Sequence, residues 1–184
     1  DYLIAQLTGE CVGDVAACST AGAMNIRNGQ WDAELCEVAE IDMTILPHLH
    51  NPQDNIGTVT ESAAQRTGFS AGTAVYAGIG DAGATTLASG VSHPGQYNIN
   101  IGTSGWIATV SPEPFTDKPG AANLAFGVEE GFVNAVPFLN AGDVHKWVTG
   151  VFSDGDYAEA HQLIETSKPG SNGVLCLPYL VGER

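Results

Sequence analysis

The sequence predicts an α/β protein, on three observations. An apolar run, Thr73-Ala-Val-Tyr-Ala-Gly-Ile-Gly-Asp81, ends in a lone carboxylate and passes into a run of small residues suited to a tightly packed helix. Two segments that alternate polar and apolar residues, Tyr97 to Ile101 and Trp106 to Val110, flank Gly102-Thr103-Ser104-Gly105, the pattern of a β-hairpin. Between and around them lie short helical stretches with a capping residue at one end and a glycine at the other.

Taken in order, Asp1 to Leu7 reads as a helix stopped by Thr8-Gly9. Asp32 is placed to cap a helix over 33–40, with Leu35, Val38 and Ala39 on one face. Leu46-Pro47 and Asn51-Pro52 predict a surface loop. Gly57 to Thr60 reads as a short strand, and Thr60 caps a helix from Glu61 to Thr67 that Gly68 stops. A strand over Ala74 to Ile79 leads to Asp81, and residues 82–89 form a helix ended by Gly90. After the glycine-turn hairpin, Leu124 to Val128 and Phe132 to Phe138 form a second one. Gly142 opens a helix through Val151, and Tyr157 to Ser167 forms another. Lys168-Pro169-Gly170 breaks it, and Gly173 to Leu177 reads as a buried strand.

Composition narrows the function classes. With 184 residues, 43% hydrophobic and 15% charged, the chain can bury a real core. Six Lys+Arg against 21 Asp+Glu give a formal charge of −15, which disfavours nucleic acid and anionic membrane as partners. A nucleotide is not disfavoured, because backbone amides and a divalent cation can hold phosphate without Lys or Arg. Cys11, Cys18, Cys36 and Cys176 lack C-x-x-C spacing and read as reduced thiols of a cytoplasmic protein. No apolar stretch reaches the ~20 residues of a membrane span. The first residue is Asp1, and Tyr2 to Leu7 already reads as helix interior, so the chain reads as a piece of a longer protein.

Two segments carry chemistry. Asp81, flanked by Gly80 and Gly83, stands where open α/β sheets place ligands, with glycines that permit close approach. As a general base it would accept a hydroxyl proton while that oxygen attacks a γ-phosphate; as a structural residue it would cap the following helix. The Gly102–Gly105 turn can face an anion with its amides, and the Thr103 and Ser104 hydroxyls add donors. Alone, the tetrapeptide reads as an ordinary hairpin turn. A base beside a phosphate cradle is what phosphoryl transfer to a hydroxyl requires. His48 and His50 read as residues of a Pro-bounded loop without a third metal ligand, and His145 and His161 as surface residues. Ser153-Asp154-Gly155-Asp156 lacks the bidentate Glu of a calcium loop and reads as a turn.

Consecutive strands followed by a helix, with a glycine turn in the first hairpin, open an actin-like ATPase (ribonuclease H-like) domain. The predicted architecture is therefore α/β with parts of two such domains, the seam lying near Ile79 to Ala84. Further segments make the resemblance specific: Asp1-Tyr-Leu with Leu7-Thr-Gly-Glu10; Gly29-Gln-Trp-Asp-Ala-Glu-Leu35; Gly57-Thr-Val-Thr60 with Thr67-Gly68 and Ala71-Gly-Thr73; Ala77 to Asp81 with Gly102 to Gly105; and Leu177-Pro-Tyr-Leu-Val-Gly-Glu-Arg184. Together they resemble the FGGY family of carbohydrate kinases, xylulokinases most.

The resemblance implies ATP-dependent phosphorylation of a sugar or polyol hydroxyl, with a ketopentose such as xylulose as acceptor and Mg²⁺ with the nucleotide. Asp81 matches the family's catalytic aspartate. Gly102, Thr103 and Ser104 match its loop over the ATP phosphates, and Gly142 matches a glycine near the phosphates and ribose. Residues 1–80 would end the first, sugar-binding domain and 81–184 would open the second, ATP-binding one. The family reading allows a homodimer.

The chain departs from the family where Ala82 follows Asp81, since xylulokinases and glycerol kinases usually carry Asn or Gln there. A methyl group cannot make that hydrogen bond, which leaves the sugar open. The family's amino-terminal phosphate loop and its later adenine site are not in this sequence, so no turnover is expected of these residues alone. A catalytically silent sugar- or nucleotide-binding member with a regulatory role stays open as the rival reading.

Overall fold

The structure, a computed structural model, describes residues 1–182. Glu183 and Arg184, which close the last segment of the resemblance, lie outside the described residues. By backbone proximity the chain divides into two compact units, one of Asp1–Asn98 with Ala108–Ala135, the other of Ile99–Ile107 with Val136 onward.

The first unit begins with helix α1 (Tyr2–Thr8), closed by Gly9 at φ 88°, and strand β1 (Val12–Asp14), which runs directly into the four-residue helix α2 (Val15–Cys18). A small ribbon, β2 (Met24–Asn25) with β3 (Gln30–Trp31), precedes α3 (Ala33–Val38). Asp32 caps α3 as expected, accepting from the Glu34 and Leu35 amides at 3.1 Å. The expected apolar face is not what packs: Leu35 and Val38 are exposed and Cys36 is the buried residue.

The loop expected over 46–52 is partly a strand. β4 (His48–His50) pairs in parallel with β1, so His48 and His50 lie opposite Val12 and Asp14. Pro47 sits just before the strand, where its missing N–H breaks no ladder bond. Strand β5 (Asn55–Thr58) and α4 (Glu61–Thr67) follow, with Thr60 capping at 3.2 Å and Gly68 closing at φ 80°. β6 (Ala74–Tyr76) pairs antiparallel with β5 and ends earlier than expected. Beyond Tyr76 the backbone turns to another partner: the Ala77 and Gly78 amides donate to the carbonyls of Asp54 and Pro52. Helix α5 (Asp81–Ala88) then begins one residue earlier than expected.

Both hairpins form, β7 (Tyr97–Ile101) with β8 (Gly105–Ser111) and β9 (Ala122–Ala125) with β10 (Phe132–Phe138), in one sheet of order β7-β8-β10-β9; β9 lies earlier than the expected 124–128, and residues 126–128 belong to the connection. In the first unit, Val15, Met24 and Ala125 form a buried cluster with Cys18, Ile26, Trp31 and Leu49 against it. Ser19 ties α2 to that sheet, its hydroxyl donating to Val15 and accepting from the Ala125 amide at 2.9 Å.

The second unit holds α6 (Gly142–Ser153) and α7 (Tyr157–Thr166). The Ser153–Asp156 segment is the turn expected: Asp154 takes the left-handed conformation that ends α6, and Asp156 caps α7. The strand expected over 173–177 does not form. Residues 171–173 make a single 3₁₀ turn, and Leu175 and Leu177 beyond it are 92% and 77% exposed. An apolar run becomes a strand only where a partner strand takes its backbone bonds, and among the described residues none does.

Candidate active site

Asp81 belongs to the first unit, and Gly102, Thr103, Ser104 and Gly142 belong to the second.

The Asp81 backbone is the first residue of α5, and Gly80 is the capping position. The expectation that Asp81 caps the helix is therefore shifted by one residue. Its side chain is exposed, and Oδ1 accepts from the Ala82 amide at 2.8 Å. Thr85 donates back to the Asp81 carbonyl at 2.8 Å, closing the first turn. Ala82 is half-buried and presents only its methyl group.

A second carboxylate, passed over in the sequence reading, stands behind this turn. Asp14 is 5% exposed at the carboxyl end of β1. Its Oδ1 caps α2 through the Ala17 amide at 2.9 Å and also accepts from the Gly80 amide at 3.2 Å. Gly80 is glycine for lack of space: a Cβ there would stand 3.1 Å from the Ala17 Cβ and 3.3 Å from the Ala17 backbone. The signal for Asp14 was an Asp preceding a short run of small residues, the signature of a cap, too common to single out.

In the second unit the Gly102–Gly105 turn docks on the start of α6. The Gly142 amide donates to the Gly102 carbonyl at 2.8 Å, and the Ala141 amide to the Thr103 carbonyl at 3.1 Å. Within the turn, the Gly102 amide donates to the Ser104 carbonyl at 2.8 Å. Neither turn glycine has positive φ. Gly105 is instead required by crowding, since a Cβ would meet the Asn100 carbonyl and the Phe138 ring at 2.5 and 2.6 Å. Gly142 is required for the same reason, 2.6 Å from the Gly102 oxygen. The Gly142 amide is thus committed to the turn, and the groups left facing outward are the exposed Thr103 and Ser104. Their hydroxyls make no hydrogen bond among the described residues, so the turn is a stiff platform carrying two free donors suited to phosphate oxygens.

The histidines take no part in either half. His50 lies 3.5 Å from Asp54, His161 lies 3.3 Å from Glu165, and the His145 ring packs against Tyr157 at 5.3 Å. Among the described residues no three His, Cys, Asp or Glu side chains converge on a point that could hold a metal.

Residues 1–88 match the model of the N-terminal domain of the FGGY family of carbohydrate kinases. Over its whole length the chain is 30% identical to a xylulose kinase of Lactococcus lactis, of which it covers 37%, and 28% identical to a gluconokinase of Bacillus subtilis, of which it covers 38%. Along its whole length the chain is similar to carbohydrate kinases, and its first 88 residues to the N-terminal domain of the FGGY family. Its fold agrees: the whole chain superposes on 38% of the ligand-bound xylulose kinase of Lactobacillus acidophilus with a TM-score of 0.91 at 26% identity. The α/β, actin-like ATPase architecture expected from the sequence is thereby the one observed. The chain spans less than two-fifths of the length of these relatives.

Proposed function

We propose that the protein carrying this chain phosphorylates a sugar or polyol hydroxyl with ATP, a ketopentose such as xylulose being the preferred acceptor. The observation that carries the reading is Asp81: an exposed carboxylate at the first turn of a helix, on a backbone fixed from behind by Asp14. Its free oxygen can take the proton of a substrate hydroxyl as that oxygen attacks. Thr103 and Ser104, on the platform that Gly102 and Gly142 lock, donate to the phosphate oxygens of ATP. The two unused hydroxyls, on a turn locked against α6, fit a phosphate group held by side-chain donors. When bound, Mg²⁺ neutralises phosphate charge that a chain with six Lys+Arg cannot. Catalysis by these residues is positioning and electrostatics.

In this reading residues 1–80 end the sugar-binding domain and 81–184 open the ATP-binding domain, in a cytoplasmic enzyme. The N-terminal-domain match supports the assignment of residues 1–80 and runs on to residue 88, past that boundary, and four free thiols suit a reducing compartment. The relatives' names divide between xylulose and gluconate, so the acceptor is tested directly. Full-length protein is assayed for ADP release against a panel of ketopentoses, aldoses, polyols and gluconate, and the highest kcat/KM is expected with a ketopentose. Ala82 carries a second reading, a silent member that binds sugar without turning it over. Calorimetric binding of a sugar with no ADP formed across the panel would establish it.

A further inference from the structure

Asp14 is a buried carboxylate whose Oδ1 accepts from two amides that lie far apart in sequence. One, at Ala17, is the cap of a four-residue helix that any good capping residue would serve. The other, at Gly80, belongs to the residue immediately before Asp81. The contact is reinforced by the backbone packing of Gly80 on Ala17, so the start of α5 is held against the start of α2 by both shape and charge. A carboxylate accepting from amides makes a stronger, shorter-ranged tie than a neutral acceptor does. Because the Asp81 side chain is exposed and held through only one bond to its own helix, the direction in which it points is set by the backbone of residues 80–82.

We propose that Asp14 is a positioning residue for phosphoryl transfer: it fixes the turn at Gly80 and through it aims the Asp81 carboxylate. This rests on the reading of Asp81 as the base. Asp14 touches no substrate in this scheme, and its contribution is geometric. Its loss lowers the rate of the chemical step and leaves ligand affinity largely alone.

The test uses full-length protein in four forms: wild type, Asp14→Ser, Asp14→Asn and Asp81→Asn. Serine keeps a cap for α2, and with it folding, but its shorter side chain gives up the Gly80 amide; asparagine keeps an oxygen at the same reach. Expected for Asp14→Ser is a fall in kcat of about 10²-fold, with KM for sugar and ATP within about threefold of wild type and Tm close to it. Asp14→Asn recovers most of that loss. Unchanged kcat in Asp14→Ser overturns the proposal. So does a loss that asparagine fails to relieve, or one that appears in KM and Tm instead of kcat, since either marks a merely structural role. Retained turnover in Asp81→Asn overturns the base reading, and this inference with it; a dead Asp81→Asn beside a fully active Asp14→Ser overturns this inference alone.

Discussion

Gly142 donates its amide to the Gly102 carbonyl at 2.8 Å, and a Cβ on residue 142 would stand 2.6 Å from the same oxygen. With the bond from the Ala141 amide to the Thr103 carbonyl, this ties the turn that carries Thr103 and Ser104 to the start of α6, at a separation only glycine allows.

Gly142→Ala is therefore expected to push the turn off the helix. Backbone atoms have to move, and overpacking of this kind costs about 1–3 kcal/mol. With the two hydroxyls displaced, KM for ATP in the full-length protein rises about tenfold, equivalent to about 1.4 kcal/mol. Sugar affinity measured by calorimetry stays near wild type. An unchanged KM for ATP would show that the turn does not hold the nucleotide.

Asp32 tests the local account of stability. Its carboxylate accepts from the first α3 amides, those of Glu34 and Leu35, so Asp32→Ala is expected to cost about 1 kcal/mol in denaturant unfolding. Asp32→Ser should recover most of it. Equal stability of alanine and aspartate variants would mean that packing of Cys36 alone sets this helix.

Much of this fold was legible, and the failures share a cause. Caps and stops such as Asp32, Thr60 and Gly68 act within a few residues, so they are written locally and the helices appear where expected. What was missed depends on partners distant in sequence. β4 exists because β1 lies beside it, and the run over 173–177 stays irregular for want of a neighbouring strand. Within the proposed site, Asp81 and the 102–105 turn were nameable as candidates from pattern alone. Asp14 could not, because its meaning comes from an amide 66 positions away. The glycines at 80, 105 and 142 were visible, but the reason for them is crowding, not left-handed backbone.

The cysteines give a pH-dependent check. Burial, and then the negative charge of Asp14, push the Cys18 thiol above its ordinary range, whereas Cys11 is exposed. The thiolate is the reactive form, so a raised pKa means less of it at any given pH below that value. Under iodoacetamide at pH 8 the peptides of the exposed Cys11 and Cys176 are expected to label first. Cys18 should lag and catch up only as pH rises further, and Cys36, fully buried, should react only on unfolding. Labelling of Cys18 as fast as Cys11 at pH 8 would contradict the burial described for α2.

The role of Asp81 decides the rest. Full-length protein carrying Asp81→Asn is compared with wild type by ADP release under saturating sugar and ATP, and by calorimetric titration with ATP. The substitution keeps the size of the side chain and removes the base. The expected result is a fall in kcat of about 10²- to 10⁴-fold with ATP affinity within about threefold of wild type. Turnover in Asp81→Asn close to that of wild type would contradict it.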